Sequence, residues 1–240
     1  HKMRRTYNFE RTGMAYGYFF TWMAEEHFLG GRLLERAIEV AEQKKSNRLA
    51  GEHPLPVSDR VVILQVESLE DSIVDHKVGG EYVMPFLAAL RASSMHYKVV
   101  PFHDHGSADA DFSMLTGKAP SPDLITYRLL DYPYGQTLPQ IFEEAGYRSH
   151  FLHGLFGDFF DRRYAFENFM GFSELLFEEE LNEQYGLVSG KWGIKDRDVF
   201  RVAADLLLQE EGKVFQFVIT LTSHGPFHFL EPEEQEIFKN

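Results

Sequence analysis

Cysteine is absent from the 240 residues. That excludes disulfides, thiolate metal sites and cysteine nucleophiles, and it leaves the redox compartment open. Basic charge is scarce: 24 Lys and Arg against 37 Asp and Glu give a formal net charge of −13. General nucleic-acid binding needs a basic surface, and so does docking on anionic headgroups by charge alone; the balance argues against both. No stretch reaches the ~18–20 continuous apolar residues of a membrane span. The nearest, residues 16–24, is too short and too aromatic, and no secretory leader is visible. Missing too are a P-loop, a G-x-G-x-x-G turn, a G-x-S-x-G elbow and an H-E-x-x-H helix. A Ser-His-Asp hydrolase has its residue types here but not its local turn.

What is present is organised around two stretches. Val61–Val62–Ile63–Leu64–Gln65–Val66–Glu67–Ser68 is an apolar run that ends in a carboxylate. Its continuity predicts a central strand over 60–66, buried on both faces. His105–Gly106–Ser107–Ala108–Asp109–Ala110–Asp111–Phe112 puts a serine after a glycine, ahead of a helical segment over 109–115 that Gly117 can stop.

Around these, strand-like and helix-like segments alternate. Residues 32–45 have helical spacing, and 46–58 form a polar linker stiffened by Pro54 and Pro56. A helix is expected from Pro85 to Ala92 with the proline in its first turn, and a second strand over 97–101. Thr137 caps a helix over 138–144 that Gly146 ends, and a third strand follows over 147–152. Residues 163–170 read as helical, 174–190 as an acidic irregular insert, Asp196 as the cap of a helix, and 214–221 as a fourth strand. This order predicts an α/β layered fold with a mainly parallel central sheet and helices on both faces. The expected division is an aromatic-rich lead-in, helix and linker over 1–58, then a catalytic body over 59–240.

In such sheets ligands gather beyond the carboxyl ends of the strands. Four strand ends here lead into polar residues: Glu67, His103–Asp104–His105, His153 and Ser223–His224. Glu67 suits either a turn-capping carboxylate or a hard oxygen ligand for a divalent cation; Asp71 and Asp75 read better as solvated loop residues. A serine at the position of Ser107 commonly caps a helix. The same position faces an anion with free N–H groups, typically worth about 0.3–1 kcal/mol per charge. That is too little to make serine a nucleophile, so the functional reading needs a metal to lower the hydroxyl's pKa. Arg162 can clamp a phosphate bidentately, as can Arg163. Any one of His103, His105, His153, His224 and His228 is ordinary; several at one sheet end are not.

With these residues in hand, the sequence from about residue 59 to 227 resembles lipoteichoic-acid synthases and related phosphoglycerol transferases of the alkaline phosphatase/sulfatase superfamily. The run ending in Glu67 resembles the first-strand motif whose Glu binds metal. Ser107 through Phe112, with Leu115–Thr116–Gly117, resembles the nucleophile motif, where the family usually has threonine. Leu138–Pro139 through Ala145–Gly146–Tyr147, Trp192–Gly193 with Asp196, and Thr222–Ser223–His224–Gly225–Pro226–Phe227 follow in family order. His153–Gly154, with Arg162 nine positions on, resembles the substrate-binding His and Arg.

The resemblance implies Ser107 as nucleophile, Glu67 and Ser107 as metal ligands, and His153, Arg162 and His224 as substrate-binding residues. It implies a divalent cation, manganese first with magnesium or zinc as alternatives. The expected reaction moves phosphoglycerol from a phospholipid headgroup to an acceptor glycolipid or glycan, in an extracytoplasmic enzyme anchored to the membrane by a segment outside this chain. Phosphoethanolamine transfer, phosphodiester hydrolysis and a non-catalytic binding domain are the alternatives. A sulfatase fits less well, since Ser107–Ala108–Asp109–Ala110–Asp111 lacks the Pro and Arg of the C/S-x-P-x-R motif. Two departures stand out. Leu155 replaces an acidic residue of the synthases, so identical headgroup specificity does not follow. The family's G-D-H motif is not found before Asn240, so the chain is expected to be the front part of the domain, binding metal weakly and turning over poorly by itself.

Overall fold

A computed structural model describes residues 30–43, 58–97, 99, 105–129 and 131–225. The lead-in over 1–29, nearly all of the linker, His103, Asp104 and His228 lie outside the described residues, as does most of the strand expected over 97–101. Tyr97 and Val99 are described and are not in a strand.

Four strands, β1 (Arg60–Gln65), β4 (Tyr147–His153), β5 (Glu174–Leu176) and β6 (Lys213–Ile219), form one sheet in the order β1-β6-β4-β5. Every pairing in it is parallel. A small antiparallel hairpin, β2 (Lys77–Val78) with β3 (Glu81–Tyr82), stands apart from it. The helices in chain order are α1 (Gly30–Gln43), α2 (Asp71–Val74), α3 (Pro85–Ser93), α4 (Ser107–Thr116), α5 (Leu138–Glu144), α6 (Arg162–Ala165), α7 (Glu178–Tyr185) and α8 (Asp196–Gln209).

Side chains alternate across a strand, and here the alternation divides the core between two faces. Phe151 of β4 and Phe215, Phe217 and Ile219 of β6 pack on one side with Ala37 of α1, Phe112 and Leu115 of α4, and Ala165 of α6. Leu152 and Val218 pack on the other with Leu181 of α7 and Val199, Val202 and Ala203 of α8. Aromatic rings fill the first face, which is where the abundant phenylalanine goes. Phe142 stacks on Phe215 with ring centroids 4.2 Å apart, a contact worth about 0.5–1.5 kcal/mol beyond its buried area. Helix α1, expected as part of a lead-in, belongs to this core: Ala37 is buried with Leu33, Leu34 and Ile38 packed around it.

Several local signals act as their chemistry dictates. Thr137 caps α5 in a full capping box with Gln140, and Pro139 sits in the first turn. Gly117 takes the left-handed conformation that ends α4.

Other expectations are corrected. β1 is not a central strand but the outer one among the described residues. Val61 and Ile63 pack on the core while Val62 and Leu64 are 48% and 47% exposed. A continuous apolar run says that both faces are greasy, not that both are covered. The acidic insert over 174–190 is ordered: β5 extends the sheet, and α7 begins with Glu178, Glu179 and Glu180, the place where carboxylates complement a helix dipole. Residues 166–170 form a π-helical turn. Asp196 is not the cap of α8; Lys195 holds that position without a side-chain bond, and Asp196 lies inside the first turn.

Candidate active site

Because β1, β6 and β4 are parallel neighbours, their carboxyl ends meet along one edge. Hydrogen bonds knit that edge together. The Thr220 amide donates to the Gln65 carbonyl at 3.0 Å, and the Glu67 amide donates to the Thr220 hydroxyl at 2.8 Å. The Ser223 hydroxyl donates to the Glu67 carbonyl at 2.5 Å. Glu67 is thus fixed through its backbone at the place where the chain leaves β1. Ser68, immediately after it, takes φ 56°, a left-handed conformation that a non-glycine residue adopts under strain.

Ser107 opens α4. Gly106, with φ 75°, takes the cap position that a serine could have filled, so Ser107 is the first residue of the helix and not its cap. The Gln65 amide reaches across from β1 to the Ser107 carbonyl at 3.2 Å. Nη2 of Arg162 donates to the Ser107 Oγ at 3.2 Å. That arginine is only 1% exposed. Its Nε and Nη2 lie 2.8 and 2.7 Å from Oδ2 of Asp111, and the Tyr127 hydroxyl donates to Asp111 Oδ1 at 2.6 Å. Burial pushes the Asp111 carboxyl up to about 6, against the pull of Arg162 and Tyr127. The backbone just before Arg162 is unusual: Phe160 and Asp161 both have positive φ, Arg128 holds Asp161 at 3.2 Å, and the Phe160 ring lies 5.2 Å from the Arg162 guanidinium.

His153 ends β4 and is buried. Its Nδ1 lies 3.1 Å from the Ile219 carbonyl. A carbonyl only accepts, so Nδ1 carries the proton and Nε2 keeps its lone pair. Burial, with the Arg162 charge adding to it, pushes the imidazole down to about 3. His153 is therefore neutral at physiological pH. Gly154 follows because nothing larger fits. The Ile194 amide donates to the Gly154 carbonyl at 2.8 Å, and a Cβ on either Gly154 or Gly193 would strike the other segment's backbone.

His224 packs on Trp192, ring centroids 5.0 Å apart. The turn before it is held by Asp196, whose carboxylate accepts from the amides of Leu221 at 2.6 Å and Thr222 at 2.9 Å. Burial pushes the Asp196 carboxyl up, against those bonds.

The five expected site residues thus lie at one sheet edge (Glu67, His153, His224) and at the starts of two helices, α4 (Ser107) and α6 (Arg162). Ser107 and Arg162 touch directly. Glu67 reaches Ser107 only through the β1 backbone and Gln65, and His224 reaches Glu67 through Ser223. Asp71 and Asp75 are bound to Arg91 of α3. Arg163, the rival phosphate clamp, is paired with Glu179 and Glu180 of α7. Asp111, Tyr127 and Asp196 were not expected in these roles. Asp111 had one legible signal, an acid four residues after Ser107 and so on the same helix face. As a metal site, Glu67 and Ser107 offer hard oxygen donors of the right kind for magnesium or manganese. They are two in number, and no cluster of three or more His, Asp or Glu suited to a metal occurs among the described residues.

Fold and site edge define the class first: an alkaline-phosphatase-like α/β domain. The lipoteichoic acid synthase LtaP from Listeria monocytogenes superposes with a TM-score of 0.59 at 20% identity, covering 70% of this chain and 41% of that one. An alkaline phosphatase superfamily protein from Vibrio parahaemolyticus gives 0.53 at 24% identity, over 72% of this chain and 42% of that one. The chain belongs to the Sulfatase family, whose model matches residues 59–239. Among curated relatives it is similar to lipoteichoic acid synthase from Staphylococcus saprophyticus, 26% identical over 86% of this chain and 32% of the relative. The Staphylococcus aureus synthase is 24% identical over 81% of this chain and 31% of the relative. The chain therefore spans about a third of the length of the curated relatives it matches. No helix among the described residues is long and apolar enough to cross a membrane.

Proposed function

We propose that the protein carrying this chain is a cell-envelope phosphotransferase. It moves phosphoglycerol from a phospholipid such as phosphatidylglycerol to a hydroxyl of a glycolipid or glycan, through a covalent intermediate on Ser107. The observation that carries this reading is the 3.2 Å contact of Arg162 Nη2 with the Ser107 hydroxyl at the start of α4. The similarity to curated lipoteichoic acid synthases supports the choice of donor.

In the first step Ser107 Oγ loses its proton and bonds to phosphorus. The bond from phosphorus to the diacylglycerol oxygen breaks, and that oxygen takes up a proton. In the second step the acceptor hydroxyl oxygen loses its proton and bonds to phosphorus, the bond from phosphorus to Ser107 Oγ breaks, and Oγ takes up a proton to restore the serine hydroxyl. Arg162 orients the serine oxygen through Nη2 and stabilises charge on the phosphoryl oxygens. His153 is expected to accept a hydrogen bond at Nε2 from a glycerol hydroxyl, because its only N–H is already given to Ile219. This refines the expectation that it contacts headgroup oxygens: it receives a proton donor and does not bind a phosphate oxygen. His224, on its Asp196-held turn, is a further binding residue for phosphate or headgroup oxygens in this reading.

Glu67 and Ser107 would hold the divalent cation, manganese first and magnesium or zinc as alternatives. When bound, such an ion supplies the Lewis acid that lowers the hydroxyl's pKa. The protein is extracytoplasmic in this reading, with membrane attachment outside this chain.

The test is release of diacylglycerol from phosphatidylglycerol by the full-length protein in detergent with Mn²⁺. Release that disappears in Ser107→Ala and is strongly reduced, but still measurable, in Arg162→Gln is expected. Release that survives Ser107→Ala would overturn the reading; release from phosphatidylethanolamine alone would change the donor.

A further inference from the structure

We propose that Asp111 is a positioning residue for the transfer reaction, holding Arg162 so that Nη2 meets the Ser107 hydroxyl. The proposal rests on the reading that Ser107 and Arg162 are the reacting pair, and adds to it the group that sets their geometry.

Asp111 lies one helical turn after Ser107 on α4, so the helix that presents the nucleophile also presents the counter-charge. Its carboxylate is completely buried. Oδ2 accepts a hydrogen bond from Nε of Arg162 at 2.8 Å and lies 2.7 Å from Nη2 in the same ion pair, while Nη2 donates to the Ser107 hydroxyl. Oδ1 receives the Tyr127 hydroxyl at 2.6 Å, which fixes the carboxylate plane. The Phe160 ring covers the guanidinium 5.2 Å away. With Nε and Nη2 engaged, the arginine cannot turn about its long axis without breaking those bonds.

A purely structural role explains this arrangement poorly. A buried ion pair is weak evidence for stability, because desolvation offsets the attraction and apolar residues of similar volume often serve the fold as well. A charge that must be kept fixed beside a reacting oxygen does need a buried partner. Misplacement of such a group by about 1 Å can cost about 100-fold in rate.

The test is a double-mutant cycle in the full-length protein, with kcat and KM measured separately for diacylglycerol release from phosphatidylglycerol and each variant's thermal midpoint recorded. Asp111→Asn is expected to lower kcat about 30–100-fold while changing KM less than about threefold, since Arg162 remains to bind phosphate. Asp111→Glu, which keeps the carboxylate, is expected to lose less. Tyr127→Phe should lose about 3–10-fold in kcat and serves as the milder probe if Asp111→Asn does not fold. In an Arg162→Gln background, Asp111→Asn and Tyr127→Phe should have no further effect on kcat, because both act only through that arginine. Losses that add to that of Arg162→Gln, or folded Asp111→Asn and Tyr127→Phe variants with unchanged kcat, would overturn the proposal while leaving the function standing. Activity indifferent to Ser107→Ala and Arg162→Gln would overturn the function and this proposal with it.

Discussion

The buried carboxylate of Asp111 gives stability an unusual dependence on pH. Burial raises it from an ordinary value of 3.8 to about 6 in the folded protein. Between those two values the folded state binds a proton that the unfolded state has released, so stability from this group is full below pH 3.8 and is lost as pH rises through about 6. Two pH units at about 1.4 kcal/mol each make that loss roughly 3 kcal/mol. Other groups work in the opposite sense. Burial raises Glu143, but bonds from Ser149 and Ser173 outweigh it and hold the carboxyl low, and burial lowers His150, so the stability from both is lost as pH falls. The raw stability curve mixes these contributions. The informative quantity is the difference in unfolding free energy between the wild type and Asp111→Asn, from urea titrations at intervals between pH 4 and 7.5. That difference should move by roughly 3 kcal/mol in favour of the wild type as pH falls through the window. A flat difference curve, or one that moves the other way, would refute the reasoning that desolvation dominates at Asp111.

Other consequences are independent of the chemistry. Thr137→Ala removes both the α5 cap and the hydroxyl that donates to the Met170 carbonyl at 2.6 Å, so it should cost about 1–3 kcal/mol in urea unfolding. Gly193→Ala forces a Cβ into the Gly154 backbone at a φ of +103°. It should lower the thermal midpoint and slow transfer together, since the segment it displaces follows His153. Asp196→Ala frees the Leu221 and Thr222 amides that hold the turn before His224. It should raise KM for the phospholipid donor in the diacylglycerol-release assay.

Much of this molecule was legible in its sequence, and the failures have physical causes. Helices α3, α4 and α5 could be placed because their ends carry local chemistry: Pro85 in a first turn, Gly117 after the last, Thr137 and Gln140 closing a box. The meeting of Glu67, His153 and His224 along one edge followed from the rule that parallel strands release their chains at one edge; the fourth expected strand end, His103–Asp104–His105, lies largely outside the described residues, and Ser107 opens α4. Strand β1 was misjudged because Val62 and Leu64 are as apolar as residues of a covered strand, and composition does not tell which face is covered. Residues 174–190 were misjudged because the glutamates that read as an irregular acidic run are the first turn of α7. The Asp111–Arg162 bond joins positions 51 residues apart, and no local pattern encodes it. Asp196 looked like a cap by position, but its carboxylate is bonded to the loop after β6, a contact that exists only once the sheet is formed.

The central claim is that the Ser107 oxygen forms a bond to phosphorus. The measurement that meets it most directly is peptide mass spectrometry of the full-length protein, quenched in acid after incubation with phosphatidylglycerol and Mn²⁺ without acceptor. A phosphoglyceryl group on the peptide carrying Ser107, assigned to that residue by fragmentation and absent in Ser107→Ala, is the predicted result. The same modification on another residue, or diacylglycerol released with no modification of Ser107 at any quench time, would contradict it.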